Sequence, residues 1–336
     1  MKRRWGASAP PGRLGRRRQR GRAIAVWGLI LAATVVGVSC SQGSASATPR
    51  DWRAPLPRNV ALDANSTDLV ARFNHQWHRF YGDVGINTDA FSIPIYTVPA
   101  SQPTVGVAIS PHCTSDRALL AQFRAVPIPS TARPANGTDH SLVVWQPSTD
   151  TEWELWRAQP LPDGSWTMCW GGRITHASRS SGVFRRPYGV AASGLSYLAS
   201  AIRVSELQAG EIQHTLAVNL VETTAGVQVP PANRNDGNSS AADAIPEGTR
   251  FRLDPTVDVT RLGLPPAAVT IAKALQTYGM VVTDTSAAVV LMAEDGQPYV
   301  ESGAGDPYAR LFGSTPAYAL LSKIPWNRLQ AIRPSG

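Results

Sequence analysis

Short segments with alternating apolar and polar residues, rich in β-branched and aromatic side chains, recur along the chain at intervals of about ten residues. They cover residues 91–98, 104–110, 141–146, 151–157, 165–170, 212–221 and 250–253. Glycine, proline, asparagine and aspartate separate them, and Asp163-Gly164 between two of them indicates a hairpin. This pattern predicts a mainly β fold, a sandwich or jelly roll with a few peripheral helices.

Few segments have helical spacing. A helix is predicted over 68–81, where apolar residues recur every three or four positions. A second helix is predicted over 265–278, opened by two prolines and ended by Gly279. Residues 280–283 and 287–293 then have the texture of a strand pair.

The first 47 residues predict a targeting signal. Residues 1–22 carry nine basic and no acidic side chains, residues 23–38 are uncharged and apolar, and Ala45-Ser46-Ala47 follows. A basic region, an apolar region and an A-x-A site predict a signal peptide over 1–47, cleaved after Ala47. An uncleaved membrane anchor and a lipid on Cys40 are the alternatives. All three place the remaining chain outside the cytoplasm, secreted or extracytoplasmic.

The exported part divides into two predicted regions. Residues 48–65 are rich in small residues, proline and arginine and predict a tether. Residues 66–336 predict a single β-rich domain. Within it, residues 222–248 are rich in proline, asparagine, glycine and serine, which indicates a long loop of functional use or high mobility.

The charge distribution argues against nucleic acid as a partner. The chain has a formal charge of +8, but without the nine basic residues of 1–22 this becomes −1. A near-neutral domain lacks the basic surface that a polyanion requires. Contact with a membrane is expected only through an uncleaved or lipidated N-terminus.

Cys113 and Cys169 are the two cysteines that remain after cleavage, and an even pair in an exported protein indicates one disulfide. Two buried free thiols are the alternative. No cluster of cysteine and histidine has the spacing of a metal site, so no metal is predicted.

The strand over 151–157 carries the most chemical information. Alternation places Glu152, Glu154 and Trp156 on one face and Trp153 on the other. Carboxylates two apart on a strand lie roughly 6.5–7 Å apart, between the separations of retaining and inverting glycosidases. Glu154 is therefore a catalytic candidate, and Glu152, Trp153 and Trp156 are substrate-binding candidates. The alternative is a solvated face.

Further candidates come from other segments. Trp166 and Tyr278 are potential stacking surfaces for sugars, although burial in the core is the usual place for such residues. His140 and His214 are candidate general acids or bases, and a satisfied core histidine is the alternative for His214. Asp236, in an Asn-Asp-Gly turn, is a further catalytic candidate at the rim of a site.

Several mechanisms have no signature in this chain. It contains no G-x-S-x-G nucleophile elbow, no H-E-x-x-H zinc helix, no P-loop and no dinucleotide-binding glycine motif. No cofactor is predicted.

A series of short motifs resembles an uncharacterised family of secreted actinobacterial proteins. In chain order they are Asp139-His140, Glu154-Leu155, Gly210-Glu211-Ile212-Gln213-His214, Asp236-Gly237 and Tyr278-Gly279-Met280. The resemblance covers roughly residues 80–330 and implies secretion and a single domain, without a reaction. It also implies that His140, His214 and Asp236 are site residues.

Together these observations predict an exported carbohydrate-active protein, a glycoside hydrolase or polysaccharide lyase acting on envelope or environmental glycan. The hypothesis requires His140, Glu154 and His214 to meet within about 10 Å in one cleft. The alternatives are a non-catalytic glycan- or protein-binding module of the same fold and a structural envelope protein.

Overall fold

The computed structural model describes residues 51–335. The predicted signal peptide, its cleavage site and Cys40 lie outside these residues. The strands are β1 (Gly85–Asn87), β2 (Ile95–Thr97), β3 (Val107–Ile109), β4 (Leu142–Gln146), β5 (Thr151–Trp156), β6 (Gln159–Pro160), β7 (Trp166–Met168), β8 (Trp170–Thr175), β9 (Leu216–Leu220), β10 (Thr223–Gln228), β11 (Ile245–Glu247), β12 (Arg250–Leu253), β13 (Met280–Thr285), β14 (Val290–Met292) and β15 (Leu329–Ile332). The α-helices are α1 (Ser66–Arg79), α2 (Arg117–Gln122), α3 (Val204–Ala209), α4 (Pro266–Thr277), α5 (Gln297–Glu301) and α6 (Pro307–Phe312).

The largest sheet has six strands in the order β1-β14-β9-β13-β12-β15. Strand β9 lies inside it, parallel to β13 and antiparallel to β14, and all five of its residues are buried. Helices α1 and α4 pack against this sheet and enclose the main core. Phe73 of α1 contacts Phe251 of β12 and Trp326, with ring centroids 5.6 and 5.8 Å apart. The apolar spacing of α1 therefore serves to bury one side of the helix.

A four-stranded sheet, β2-β4-β5-β8, and a three-stranded sheet, β3-β7-β6, share a second core with α2. A third apolar cluster contains Val143 of β4 together with Ala217 of β9 and Met292 of β14. The four-stranded and six-stranded sheets thus pack through a common apolar layer, which also contains Tyr197. The fold is mainly β with peripheral helices, as the alternating segments predict.

The pairing of strands differs from the sequence prediction at two places. Strands β13 and β14 do not pair with each other, because β9 lies between them. The stretch 222–248, predicted as a long loop, contains β10 and β11, which pair in parallel. The predicted hairpin at Asp163-Gly164 is confirmed, since β6 and β7 are antiparallel neighbours.

The predicted tether is wrong for residues 51–65, which pack against the domain. Trp52 is 2% exposed, and its Nε1 donates a hydrogen bond to the Ser181 carbonyl oxygen at 2.7 Å. The backbone N–H of Leu56 donates to the Thr277 carbonyl at 2.7 Å. Composition suggests a linker here, but Trp52, Leu56 and Val60 are spaced so that each of them is buried. Within residues 51–335, no helix has the length and apolar character to cross a bilayer.

The predicted disulfide is confirmed. Cys113 and Cys169 are bonded, with their Cα atoms 5.3 Å apart and 56 positions apart in sequence. Cys113 follows β3, and Cys169 lies between β7 and β8. The bond therefore fastens the three-stranded sheet to the edge of the four-stranded sheet.

Replacing both cysteines, Cys113→Ser with Cys169→Ser, is expected to lower the free energy of unfolding by about 4 kcal/mol, because the loop closed by the bond restricts the unfolded chain. Urea unfolding followed by tryptophan fluorescence measures this loss. The wild type should lose a similar amount in dithiothreitol, whereas the double variant should not respond. A wild type insensitive to reductant would contradict a stabilising bond.

Candidate functional site

The four predicted catalytic residues lie in four separate surroundings. His140 precedes β4 and is exposed, and Glu154 lies within β5 and is fully buried. His214 precedes β9, and Asp236 is exposed between β10 and β11. A side chain as enclosed as Glu154 cannot line an open cleft. The prediction that His140, Glu154 and His214 form one catalytic cleft is therefore wrong.

Glu152 and Glu154 share one face of β5 as predicted, but that face is covered. The Glu154 carboxylate accepts hydrogen bonds from the backbone N–H of Tyr197 at 2.6 Å and of Leu198 at 3.3 Å. The Glu152 carboxyl accepts one from the Ser196 hydroxyl at 3.0 Å. These contacts hold the segment 196–198 against β5. The pair is neither an open catalytic pair nor a solvated face.

Burial changes the protonation of this pair. Desolvation raises the pKa of Glu154 to about 7 and, together with the neighbouring charge of Glu154, raises the pKa of Glu152 well above its usual range. Because the backbone N–H groups of Tyr197 and Leu198 favour the ionised form of Glu154, Glu152 is the member that keeps its proton.

Glu154→Ala is expected to lower the free energy of unfolding by about 3 kcal/mol, because it leaves two backbone N–H groups without an acceptor. Glu154→Gln, whose amide oxygen can still accept, should lose less. Urea unfolding distinguishes the two, with the exposed Glu211→Ala as the control. A Glu154→Ala variant as stable as the control would contradict the structural role.

The aromatic candidates separate into buried and accessible residues. Trp153 and Trp166 are 6% and 4% exposed and belong to the second core, so their predicted role in stacking sugars is wrong. Trp156 is half-buried at the end of β5, and its Nε1 donates to Asp139 at 3.2 Å. Tyr278 is half-buried at the end of α4, where its carbonyl oxygen accepts a hydrogen bond from Thr215.

His214 has partners for both ring nitrogens. Its Nδ1 lies 3.0 Å from the carbonyl oxygen of Thr215, which can only accept a hydrogen bond. Its Nε2 lies 3.1 Å from the carboxylate of Glu206 on α3. The Glu206 carboxylate also accepts from the backbone N–H of Arg203 at 2.9 Å. His214 is therefore a satisfied, partly buried histidine that links the start of β9 to α3.

Asp236 lies beside two carboxyl groups, Glu247 and Asp284, neither of which was predicted from the sequence. Glu247 of β11 is fully buried and accepts from Thr223 at 3.3 Å, and the backbone N–H of Asp236 donates to the same oxygen. Asp284 of β13 accepts from the backbone N–H of Ala192 at 2.9 Å. The one sequence signal that could have indicated this cluster is Glu247, a glutamate among the residues of a short strand.

Desolvation, with repulsion between these neighbours, raises the pKa of Glu247 to about 9 and of Asp284 to about 8. The unfolded chain releases these protons near its ordinary pKa values, about 4. Between pH 4 and the raised pKa values, the folded protein binds more protons than the unfolded chain. The stabilisation that comes from these protonated carboxyl groups is therefore complete at low pH and is lost as the pH rises.

We therefore expect the midpoint temperature of unfolding to decrease as the pH is raised from about 5 to about 8. Over this range the free energy of unfolding should decrease by about 1.4 kcal/mol per pH unit for each such proton. Glu247→Gln, which keeps an acceptor oxygen, should reduce the slope. Thermal unfolding by circular dichroism at a series of pH values measures this. The exposed Glu211→Gln should retain the wild-type slope, and an unchanged slope in Glu247→Gln would contradict the raised pKa.

His140 lines a cavity of about 520 Å³ beside the disulfide, which we call the disulfide pocket. Its walls are formed by Ser110, His112, Cys113, Pro134, Thr138, His140, Arg157, Ala158, Gln159, Pro160, Thr167 and Cys169. The volume falls within the range of small-molecule sites. Three of these side chains are basic or can become so, and none is acidic.

Two residues of the disulfide pocket have unusual backbone angles. His140 has a φ of 43° and Arg157 has a φ of 53°, a region that non-glycine residues seldom adopt. They face each other at the ends of β4 and β5, where Arg157 N–H donates to the Asp139 carbonyl at 2.7 Å and Ala158 N–H donates to the His140 carbonyl at 3.0 Å. Strained residues of this kind concentrate at functional sites.

The side chains of this pair are available to a ligand. The Arg157 guanidinium lies over the Trp156 ring, 4.5 Å from its centroid, and has no ion pair within the described part of the chain. His140 donates from Nδ1 to the Ala135 carbonyl oxygen at 3.3 Å, which leaves Nε2 with its lone pair. The disulfide pocket therefore presents a fixed cation beside a potential base.

His112 and Arg157 were not predicted. Each is the sequence neighbour of a predicted residue, His112 of Cys113 and Arg157 of Trp156, and this proximity was the one available signal. Within residues 51–335, no group of three or more histidine, cysteine, aspartate or glutamate side chains could hold a metal ion.

No family model, curated protein or solved structure matches this chain. The resemblance to an uncharacterised secreted family thus stays a prediction, and the function has to be argued from the site itself.

Proposed function

We propose that this protein is an exported carbohydrate-active protein whose disulfide pocket binds a carboxylated sugar of an acidic polysaccharide and cleaves the chain by β-elimination. The observation that carries the proposal is the arrangement of His112, His140 and Arg157 around one cavity without an acidic side chain. A guanidinium binds a carboxylate with two parallel hydrogen bonds, which suits it to a uronic acid.

The reaction uses the side chains as follows. Arg157 pairs with the sugar carboxylate and so stabilises the negative charge that develops when the adjacent C5–H is deprotonated. Nε2 of His140 accepts that proton. The electron pair forms the C4=C5 double bond while the C4–O bond to the next sugar breaks. The departing oxygen takes a proton from His112 or from water, so atoms and charge balance.

The structure favours a lyase over a glycoside hydrolase. The hydrolase hypothesis depends on Glu152 and Glu154 as an accessible carboxylate pair, and both are buried. An elimination needs one base and one charge-neutralising group, and the disulfide pocket has candidates for both roles.

Binding without turnover is the second candidate. No carboxylate within residues 51–335 contacts the His140 ring, whose hydrogen-bond partner is a backbone carbonyl. A histidine without a carboxylate partner is a weaker base than one in a triad.

Export itself is supported by the disulfide, since such bonds persist mainly outside the cytoplasm.

The test is a panel of polyuronates incubated with the purified chain, with the ultraviolet absorbance of the unsaturated product as readout. Arg157→Ala should weaken binding by roughly 10- to 100-fold, the effect of losing a charge-assisted hydrogen bond. His140→Ala should abolish product formation while binding persists. The exposed Arg173→Ala, outside the disulfide pocket, is the matched control.

Three results separate the possibilities. Binding without product in the wild type would support the binding module and refute the lyase. Wild-type turnover in His140→Ala would remove this histidine from the chemistry. Polyuronate binding that is equal in the wild type and Arg157→Ala, or absent altogether, would refute the proposed site.

A further inference from the structure

A second polar cavity, of about 220 Å³, lies at the other end of β5 and shares no lining residue with the disulfide pocket. We call it the Glu152 cavity. Its lining includes Arg53, Trp145, Glu152, Ser196 and Arg203. Since a water molecule takes about 30 Å³ in the liquid, the space holds a molecule of roughly seven to ten non-hydrogen atoms.

From these contacts we infer that the Glu152 cavity binds a small hydroxycarboxylate. This site is independent of the proposed function, because none of its residues takes part in the disulfide pocket. Its chemistry follows from three groups: a buried carboxyl group, a guanidinium that forms no ion pair within residues 51–335 and an aromatic wall.

The buried carboxyl group belongs to Glu152, which is 2% exposed and accepts a hydrogen bond from Ser196, itself fully buried, at 3.0 Å. The adjacent Glu154 carboxylate is committed to two backbone N–H groups. Two carboxyl groups so close in a buried place cannot both be ionised. Glu152 therefore presents an O–H donor, which can pair with the oxygen of a ligand carboxylate.

The guanidinium is that of Arg203. One of its nitrogens donates to the Leu198 carbonyl oxygen at 2.9 Å, and no carboxylate within residues 51–335 lies at ion-pair distance from it. Arg53, by contrast, is paired with Asp51 at 3.1 Å. With Glu152 neutral, no carboxylate of the cavity lining faces Arg203, and an anion of one charge complements it. Glu294, outside the lining, attracts the Arg203 charge from beyond ion-pair distance.

The wall is formed by Trp145 of β4, which is half-buried. An indole face offers apolar area to the C–H groups of a short carbon skeleton. Ser178 and Ser180 at the rim supply hydroxyl groups for the hydroxyls of the ligand. A carboxylate with several hydroxyl groups uses all of these contacts, whereas a neutral polyol leaves the charge of Arg203 unused.

Titration calorimetry of the full exported chain with glycerate, erythronate and threonate, which are singly charged and match the size of the cavity, tests the inference, with erythritol as the neutral control. At least one of the carboxylates should bind, and erythritol should not. Arg203→Gln and Trp145→Leu should each raise the dissociation constant roughly tenfold or more. The exposed Arg179→Gln, on the neighbouring loop, should leave binding unchanged.

Two further variants make the result decisive. Arg203→Lys keeps the charge and loses the planar fork, so it should bind with intermediate affinity and report on the site even if Arg203→Gln folds poorly. Arg157→Ala should bind the small carboxylate as the wild type does, which distinguishes this site from the disulfide pocket. Absence of binding by all three carboxylates, equal binding of erythritol, or full affinity in both Arg203→Gln and Trp145→Leu would overturn the inference.

Discussion

The burial of the Glu154 carboxylate constrains how the two main sheets can be joined. Its hydrogen bonds to the backbone of Tyr197 and Leu198 bind the segment 190–202 to the four-stranded sheet. The same segment reaches the six-stranded sheet through Ser193 N–H to the Thr283 carbonyl and Ile202 N–H to the Met292 carbonyl. Both hydrogen bonds go to Oε1 of this buried carboxylate, whereas its Oε2 has no partner within residues 51–335.

Strand β5 contributes to two separate cavities through its two ends. Glu152, near its beginning, forms the floor of the small cavity, and Trp156 with Arg157 at its end forms a wall of the disulfide pocket. Between these ends, Trp153 and Leu155 point into the second core.

Periodicity in the sequence determines which residues share a face, and the faces of β5, the bounds of β12 and the positions of α1 and α4 follow from it. Periodicity does not determine what covers a face. Glu152 and Glu154 are enclosed by the segment 196–198, more than forty residues away along the chain, and β9 inserts between β13 and β14 from more than sixty residues away in its pairing with each. Composition predicts a tether at residues 51–65, and that prediction is wrong because Trp52, Leu56 and Val60 are buried although most of their neighbours are polar.

Cys113 and Cys169 both line the disulfide pocket, so the bond between them is part of its wall as well as a crosslink of the fold. A newly made chain with reduced thiols lacks this covalent closure. The wall of the pocket would then be completed only on oxidation, in an environment where disulfides persist.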